Sequence, residues 1–238
     1  VTDAPNVDVQ NKFLLSKAVA NALLAKVYSE KPVRDYAKVV TYCEKVESDG
    51  FTLVENYGDL FFYDKNTKDV KLRNSSESIF EITYPAGSTS WVWMMFGLNE
   101  ADENSRYDWA KWITPSRDLI AAFQEENDEV RMNASIIWGN PSWSIHYPSS
   151  HYPFMYKTRS NLNSVIKLRL ADILLLKAEA YVETGKLNEA ESLVNQVRNR
   201  AKLGDLSSSS TSSKEKLKEA ILKERRLELA FEGQRWFD

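Results

Sequence analysis

At 238 residues, with 43% hydrophobic and 27% charged side chains, the chain has ordinary globular composition and the length of one large domain or two small ones. Its net charge of −3 gives no general pull toward nucleic acid or anionic lipid, and no apolar run approaches the roughly 20 residues of a membrane span. A single cysteine, Cys43, excludes an internal disulfide, and its helical setting in TYCEKV marks a buried structural thiol.

The first periodic segment, about Asn11 to Ser29, carries Leu14, Leu15, Ala18, Ala22, Ala25 and Tyr28 at spacings of three and four, the pattern of an amphipathic helix. A second helix, about Arg34 to Ser48, follows Pro32 and stops before Gly50. Glu77 to Tyr84 has the composition of a short strand. Thr114-Pro115 opens a helix running to about Gln124, with Pro115 at its first position. From Gly139 to Tyr156 proline, serine and aromatics interleave, which predicts loop.

The helical design returns in LRLADILLLKAEAYVETGKLNEAESLVNQVRNRA. Leu170, Leu174, Ala178 and Tyr181 share a face, Thr184-Gly185 closes the helix, and Asn188 with Glu191 offers a capping box for its partner. Ala178, Tyr181, Gly185, Leu187 and Ala190 follow the tetratricopeptide order of small, aromatic, glycine, large and small residues. Small residues there let helices cross closely. The stretch DLSSSSTSSK (205–214) is a flexible loop, and Ser212 with Glu215 is positioned to cap the helix after it.

That last helix, predicted over 215–238, places Glu224 and Glu228 on the same broad face as Leu217, Ile221, Leu227 and Phe231. A buried carboxylate must be paired and hydrogen-bonded or it takes up a proton. Glu224, Arg225, Glu228 and Arg235 are therefore expected to form a structural ion-pair network, with Arg226 a further nearby cation.

Six of the seven tryptophans lie in the aromatic middle. Flat apolar rings beside serine, asparagine and aspartate suit a ligand with one apolar face and hydroxylated edges, which describes a sugar. Trp91, Trp93, Trp109, Trp112 and Trp143 are the candidate ligand-binding residues on this chemistry and on their expected loop placement. The opposing reading is that these rings fill the core of a loop-rich region. His146 and His151 lack companion ligands for a metal site, and Asp64, Asn66 and Asp69 lack the glycine and glutamate of an EF-hand. The glycines never cluster into a phosphate-binding loop, and neither G-x-S-x-G nor H-E-x-x-H occurs. No cofactor, metal or catalytic residue is implied.

Taken in order, SKAVANALLAKVY (Ser16 to Tyr28), RDYAKVVTYCEKV (Arg34 to Val46), SSESIFEITY (Ser75 to Tyr84), SRDLIAAFQEENDEVRMNASI (Ser116 to Ile136), the helical hairpin above and ERRLELAFEGQRWFD (Glu224 to Asp238) resemble the SusD/RagB family. The resemblance implies a mainly α fold of tetratricopeptide-like helical pairs with a loop-rich, aromatic-rich middle and minor short strands. It divides a single domain over 1–238 into a first helical pair (11–48), an aromatic region (51–165), a second pair (167–202), a serine-rich loop (205–214) and a terminal helix (215–238).

It further implies a non-catalytic surface lipoprotein of the outer membrane. Such a protein captures an oligosaccharide, or a peptide, for a SusC-like TonB-dependent transporter. Family members begin with an anchoring acylated cysteine and continue past a motif like the last one here. This sequence is therefore expected to be part of a longer protein, lacking the N-terminal anchor region and the C-terminal end. The alternative reading is a helical-repeat scaffold for a protein partner.

Overall fold

The computed structural model describes residues 1–84, 90–108, 112–144 and 151–234. Its elements in chain order are α1 (Lys17–Ser29), α2 (Tyr36–Glu47), β1 (Tyr63–Asp64), β2 (Asp69–Val70), β3 (Ser78–Ile82), α3 (Arg117–Glu125), α4 (Glu129–Ser135), β4 (Ile136–Gly139), β5 (Tyr152–Met155), β6 (Val165–Arg169), α5 (Leu170–Glu183), α6 (Leu187–Arg200) and α7 (Lys214–Glu228). The fold is mainly α, as expected, and the strands form three two-stranded sheets: β1 with β2, β3 with β6, and β4 with β5. The chain divides into two compact units.

The first unit, Val1–Glu55 with Asn74–Ile82 and Ile166–Asp238, holds the helical pairs α1–α2 and α5–α6 together with α7. Ala18, Ala22 and Ala25 of α1 share one core with Val39, Cys43 and Val46 of α2, and Tyr28 of α1 stacks on Tyr42 of α2 with ring centroids 5.7 Å apart. Ile173, Leu176 and Ala180 of α5 complete that core, while Leu170, Leu174, Leu175, Ala178 and Val182 on its other sides pack into a second core with α6 and α7. Helix α5 is buried on most of its sides, and its buried Asp172 and Lys177 are paired with charges from other helices, Asp172 with Lys26 and Arg225 and Lys177 with Glu47.

Helix starts follow local side-chain chemistry. Ser16, Asp35 and Ser213 accept from the backbone N–H groups of Val19, Lys38 and Lys216, satisfying donors the helices leave open. Several boundaries differ from the sequence expectation for this reason. Ser16 caps α1, so Leu14 and Leu15 precede the helix and are exposed rather than lying on its buried face. Ser213, not Ser212, caps α7. Asn188 does not cap α6, because the helix already starts at Leu187. Helix α7 ends at Glu228, so the expected helix over 215–238 is shorter, and residues 229–233 form turns.

The second unit, Asn56–Arg73 with Thr83–Val165, contains α3, α4, the β1–β2 hairpin and the β4–β5 hairpin. Helix α3 begins at Arg117 behind the cap Ser116, which receives the Leu119 N–H at 3.1 Å, so Pro115 lies before the helix and not at its first position. The expected loop from Gly139 to Tyr156 instead contributes to an antiparallel pair, registered as Ile136↔Met155, Ile137↔Phe154, Trp138↔Pro153 and Gly139↔Tyr152. Asn163 fixes the chain beyond β5: its Oδ1 accepts from the N–H groups of Arg159 (3.1 Å) and Ser160 (3.0 Å).

Candidate ligand-binding site

The tryptophan-bearing segment 90–99 is held by backbone hydrogen bonds within the second unit. Ser90 donates its N–H to the Asn161 carbonyl at 2.8 Å, and Asn99 donates to the Arg106 carbonyl at 3.0 Å. Between them Val92–Met95 forms one 3-10 turn, with the Met94 N–H on the Trp91 carbonyl and the Phe96 N–H on that of Trp93. The Met95 carbonyl then accepts from both Trp112 (3.1 Å) and Ile113 (3.3 Å). Trp91 and Trp112 are thus both tied through their backbones to one short turn.

Exposure separates the candidates. Trp91 is 70% exposed and Trp112 77%, whereas Trp93 is only 5% exposed. Two residues apart on a 3-10 turn, Trp91 and Trp93 point in different directions, one outward and one into the unit. Met95 and Ile113 add exposed apolar surface beside Trp112. Trp109 and Arg235, and the neighbouring His146, lie outside the described residues.

Trp143 is 37% exposed. It stands edge-to-face with Tyr152 (centroids 4.8 Å, planes at 78°) and donates Nε1–H to the Tyr107 carbonyl at 3.0 Å. Trp138, absent from the sequence-derived set, is also half-exposed and lies 6.4 Å from the His151 ring. Its register opposite Pro153 puts it on the other side of the hairpin from Phe154 and Tyr152. The signal for Trp138 was the strand itself, which the proline- and serine-rich composition concealed.

Elsewhere in the second unit cations lie on aromatic faces. The Arg159 guanidinium lies 3.6 Å from the Tyr156 centroid, and Lys157 lies 4.9 Å from that of Phe61. Burial pushes the Arg159 pKa below the usual range and raises that of the Tyr156 hydroxyl. Among the described residues no group of three or more His, Cys, Asp or Glu side chains is placed to hold a metal ion.

The carboxylates of α7 lie in the first unit, buried and paired. Glu224 meets Arg198 at 3.1 Å, and Arg225 meets Asp172 at 2.9 Å. Glu228 meets Arg169 and Arg200, which both also reach Glu77. Glu232, beyond the helix, pairs with Arg169 at 2.7 Å. These partners come from α5, α6, the end of β6 and the residue before β3. Burial would raise the Asp172 pKa, but Arg225 and Lys26 together outweigh it and hold the carboxyl below its ordinary value. For Arg169 burial acts downward, yet Glu232, Glu228 and Glu77 keep the guanidinium well above its usual range.

Comparison with known proteins fits this architecture. Residues 140–238 match the SusD family. SusD-like protein P38 of Formosa agariphila is 44% identical over 183 residues, which covers 69% of this chain and 36% of that protein. Among solved structures, a SusD superfamily protein from Parabacteroides distasonis shares the fold with TM-score 0.74 at 22% identity, over 99% of this chain and 54% of that one. A laminarin binding SusD-like protein aligns with TM-score 0.70 at 23% identity, over 100% of this chain and 57% of that one. This chain thus spans only part of each relative. With the family match running over residues 140–238, a SusD-like relative 44% identical over 183 residues and the fold shared with a SusD superfamily protein, the chain belongs to the SusD family.

Proposed function

We propose that the protein captures an oligosaccharide at the bacterial cell surface without transforming it, and that Trp91 and Trp112 form the main ligand platform. The observation that carries this reading is the pair of rings, each more than two-thirds exposed, anchored by backbone hydrogen bonds to one 3-10 turn. Exposing two indoles to water is unfavourable unless something covers them, and a pyranose ring offers a flat C–H face of the right size. Anchoring reduces the ordering cost of binding. Trp143, with Trp138 nearby in sequence, supplies additional half-exposed ring surface. Family membership and the laminarin-binding relative support the same class of ligand.

The rest of the reading follows the family. The whole protein sits on the outer membrane through a lipid anchor and hands its cargo to a SusC-like TonB-dependent transporter. No described helix is long and apolar enough to cross a membrane. Titrating intrinsic fluorescence with laminarin and other soluble polysaccharides tests the platform. Quenching that disappears in Trp91→Ala and Trp112→Ala is the expected result, with no released sugar product. Quenching by an unstructured peptide alone would transfer the reading to peptide cargo.

A second reading has its own observation. In the first unit Leu23 and Val27 of α1 are exposed, as are Phe13, Leu14 and Leu15 before it. An apolar surface of this kind favours a protein-binding scaffold, with the tryptophans secondary. Pull-down that survives loss of both platform tryptophans would favour it.

A further inference from the structure

Gly139 ends β4 opposite Tyr152. Strand alternation places Ile137 and Gly139 on the same face of the hairpin as Phe154 and Tyr152. Tyr107 lies over that face, stacked on Phe154 with centroids 5.0 Å apart and planes at 25°. The Arg106 guanidinium lies 5.5 Å from the Tyr107 ring. A Cβ built on Gly139 would be 2.8 Å from the Tyr107 hydroxyl oxygen, and 3.0 Å from both Tyr107 Cε1 and Phe154 Cε2. Real side chains do not sit so close. Gly139 is not in the left-handed backbone region, so the position demands glycine for space and not for conformation.

The residue that fills this space also holds Trp143. The Tyr107 carbonyl accepts Trp143 Nε1–H at 3.0 Å, and the indole stands edge-to-face with Tyr152 and with Phe154, the latter at 6.2 Å and 83°. Tryptophan has one side-chain donor, and here the Tyr107 carbonyl takes it. With that donor taken, the exposed part of Trp143 meets a ligand through ring surface.

We infer that Gly139 is a positioning residue for the ligand: it admits Tyr107, whose carbonyl fixes the indole of Trp143 as a one-sided apolar platform. This deepens the glycan reading and rests on it. Trp143 meets the C–H face of a sugar ring and does not discriminate hydroxyl orientation, so recognition here favours sugars with one unsubstituted apolar face.

The test follows the Trp143 indole ¹H–¹⁵N resonance, assigned by its absence in Trp143→Phe, and the affinity for laminarin measured by fluorescence quenching. Gly139→Ala should shift the resonance, speed its hydrogen exchange and weaken laminarin binding roughly tenfold, the worth of one stacked ring. Adding Tyr107→Phe removes the hydroxyl oxygen nearest the new methyl group, and the double variant should recover much of both signals. Native resonance and native affinity in Gly139→Ala overturn the inference. So does weakened binding with an unshifted resonance, because Trp143 would not be the route. If Gly139→Ala fails to fold, the double variant decides: recovery of the resonance supports the inference and failure to recover it overturns it. A parent protein that no polysaccharide quenches sinks the glycan reading and the ligand half of this inference, while the resonance alone then judges the positioning half.

Discussion

Arg169 Nη1 lies 2.7 Å from Glu77 Oε1, joining the end of β6 to the residue before β3 across 92 positions of sequence. Both side chains are removed from water, and both also meet a partner from a helix, Glu228 of α7 for Arg169 and Arg200 of α6 for Glu77. Glu77 further accepts the Val54 N–H at 3.0 Å. Such pairs gain little over an apolar packing of the same shape, but cutting one leaves the other charge stranded.

Glu228→Ala is therefore expected to destabilise the first unit by about 3–5 kcal/mol, since Arg169 and Arg200 both lose a carboxylate. Urea unfolding followed by far-UV circular dichroism measures it. A midpoint indistinguishable from the parent would show that the network adds nothing.

The stability of the first unit should fall in acid partly through Asp172. Its carboxyl is held below its usual value of 3.8 in the folded protein, so the unfolded chain binds that proton more readily. The contribution is complete above the unfolded value and is lost as pH falls through the folded one. Asp172→Asn should be less stable at neutral pH, because Arg225 and Lys26 lose their partner, and should show a shallower decline below about pH 4. Equal acid slopes in parent and variant would remove Asp172 from the account.

Cys43 is buried in the core between α1 and α2, and burial pushes its thiol well above the usual range. Ellman's reagent at pH 8 should leave it unmodified in the native protein and react with one equivalent after denaturation. Prompt native reaction would mean that this core opens.

Two glycines should behave oppositely. Gly185, in the α5–α6 turn, has φ +82°, so Gly185→Ala is expected to cost about 1–2 kcal/mol despite open space around it. Gly204 also faces open space but has no positive φ, and Gly204→Ala should be neutral or stabilising by about 0.4–1 kcal/mol. Melting curves of the two variants, run together, check both signs.

What could be read from the residues depended on periodicity. The α5–α6 hairpin was visible because its apolar spacing, turn glycine and small crossing residues agree. Helix α7 showed that its glutamates face inward, yet not what receives them: Arg169, Arg200 and Glu77 arrive from distant segments, and no local spacing encodes such a meeting. The β4–β5 pair was concealed because Pro153 occupies a strand position that composition assigns to a loop. Among the tryptophans the ring chemistry of Trp91 and Trp93 is identical. Only the rotation of one 3-10 turn separates an exposed ring from a buried one, and sequence carries no rule for it.

Helix α5 lends one side to the α1–α2 core and the rest to the core shared with α6 and α7. In a simple tandem stack an outer repeat can fray while its neighbours stay intact. Here, peeling either helical pair away would wet apolar residues of α5 and strand a buried charge on it, Lys177 on the α2 side or Asp172 on the α7 side, so loss of one pair undermines the other. The first unit should consequently melt as a single cooperative block, with its slowest-exchanging amides in α5.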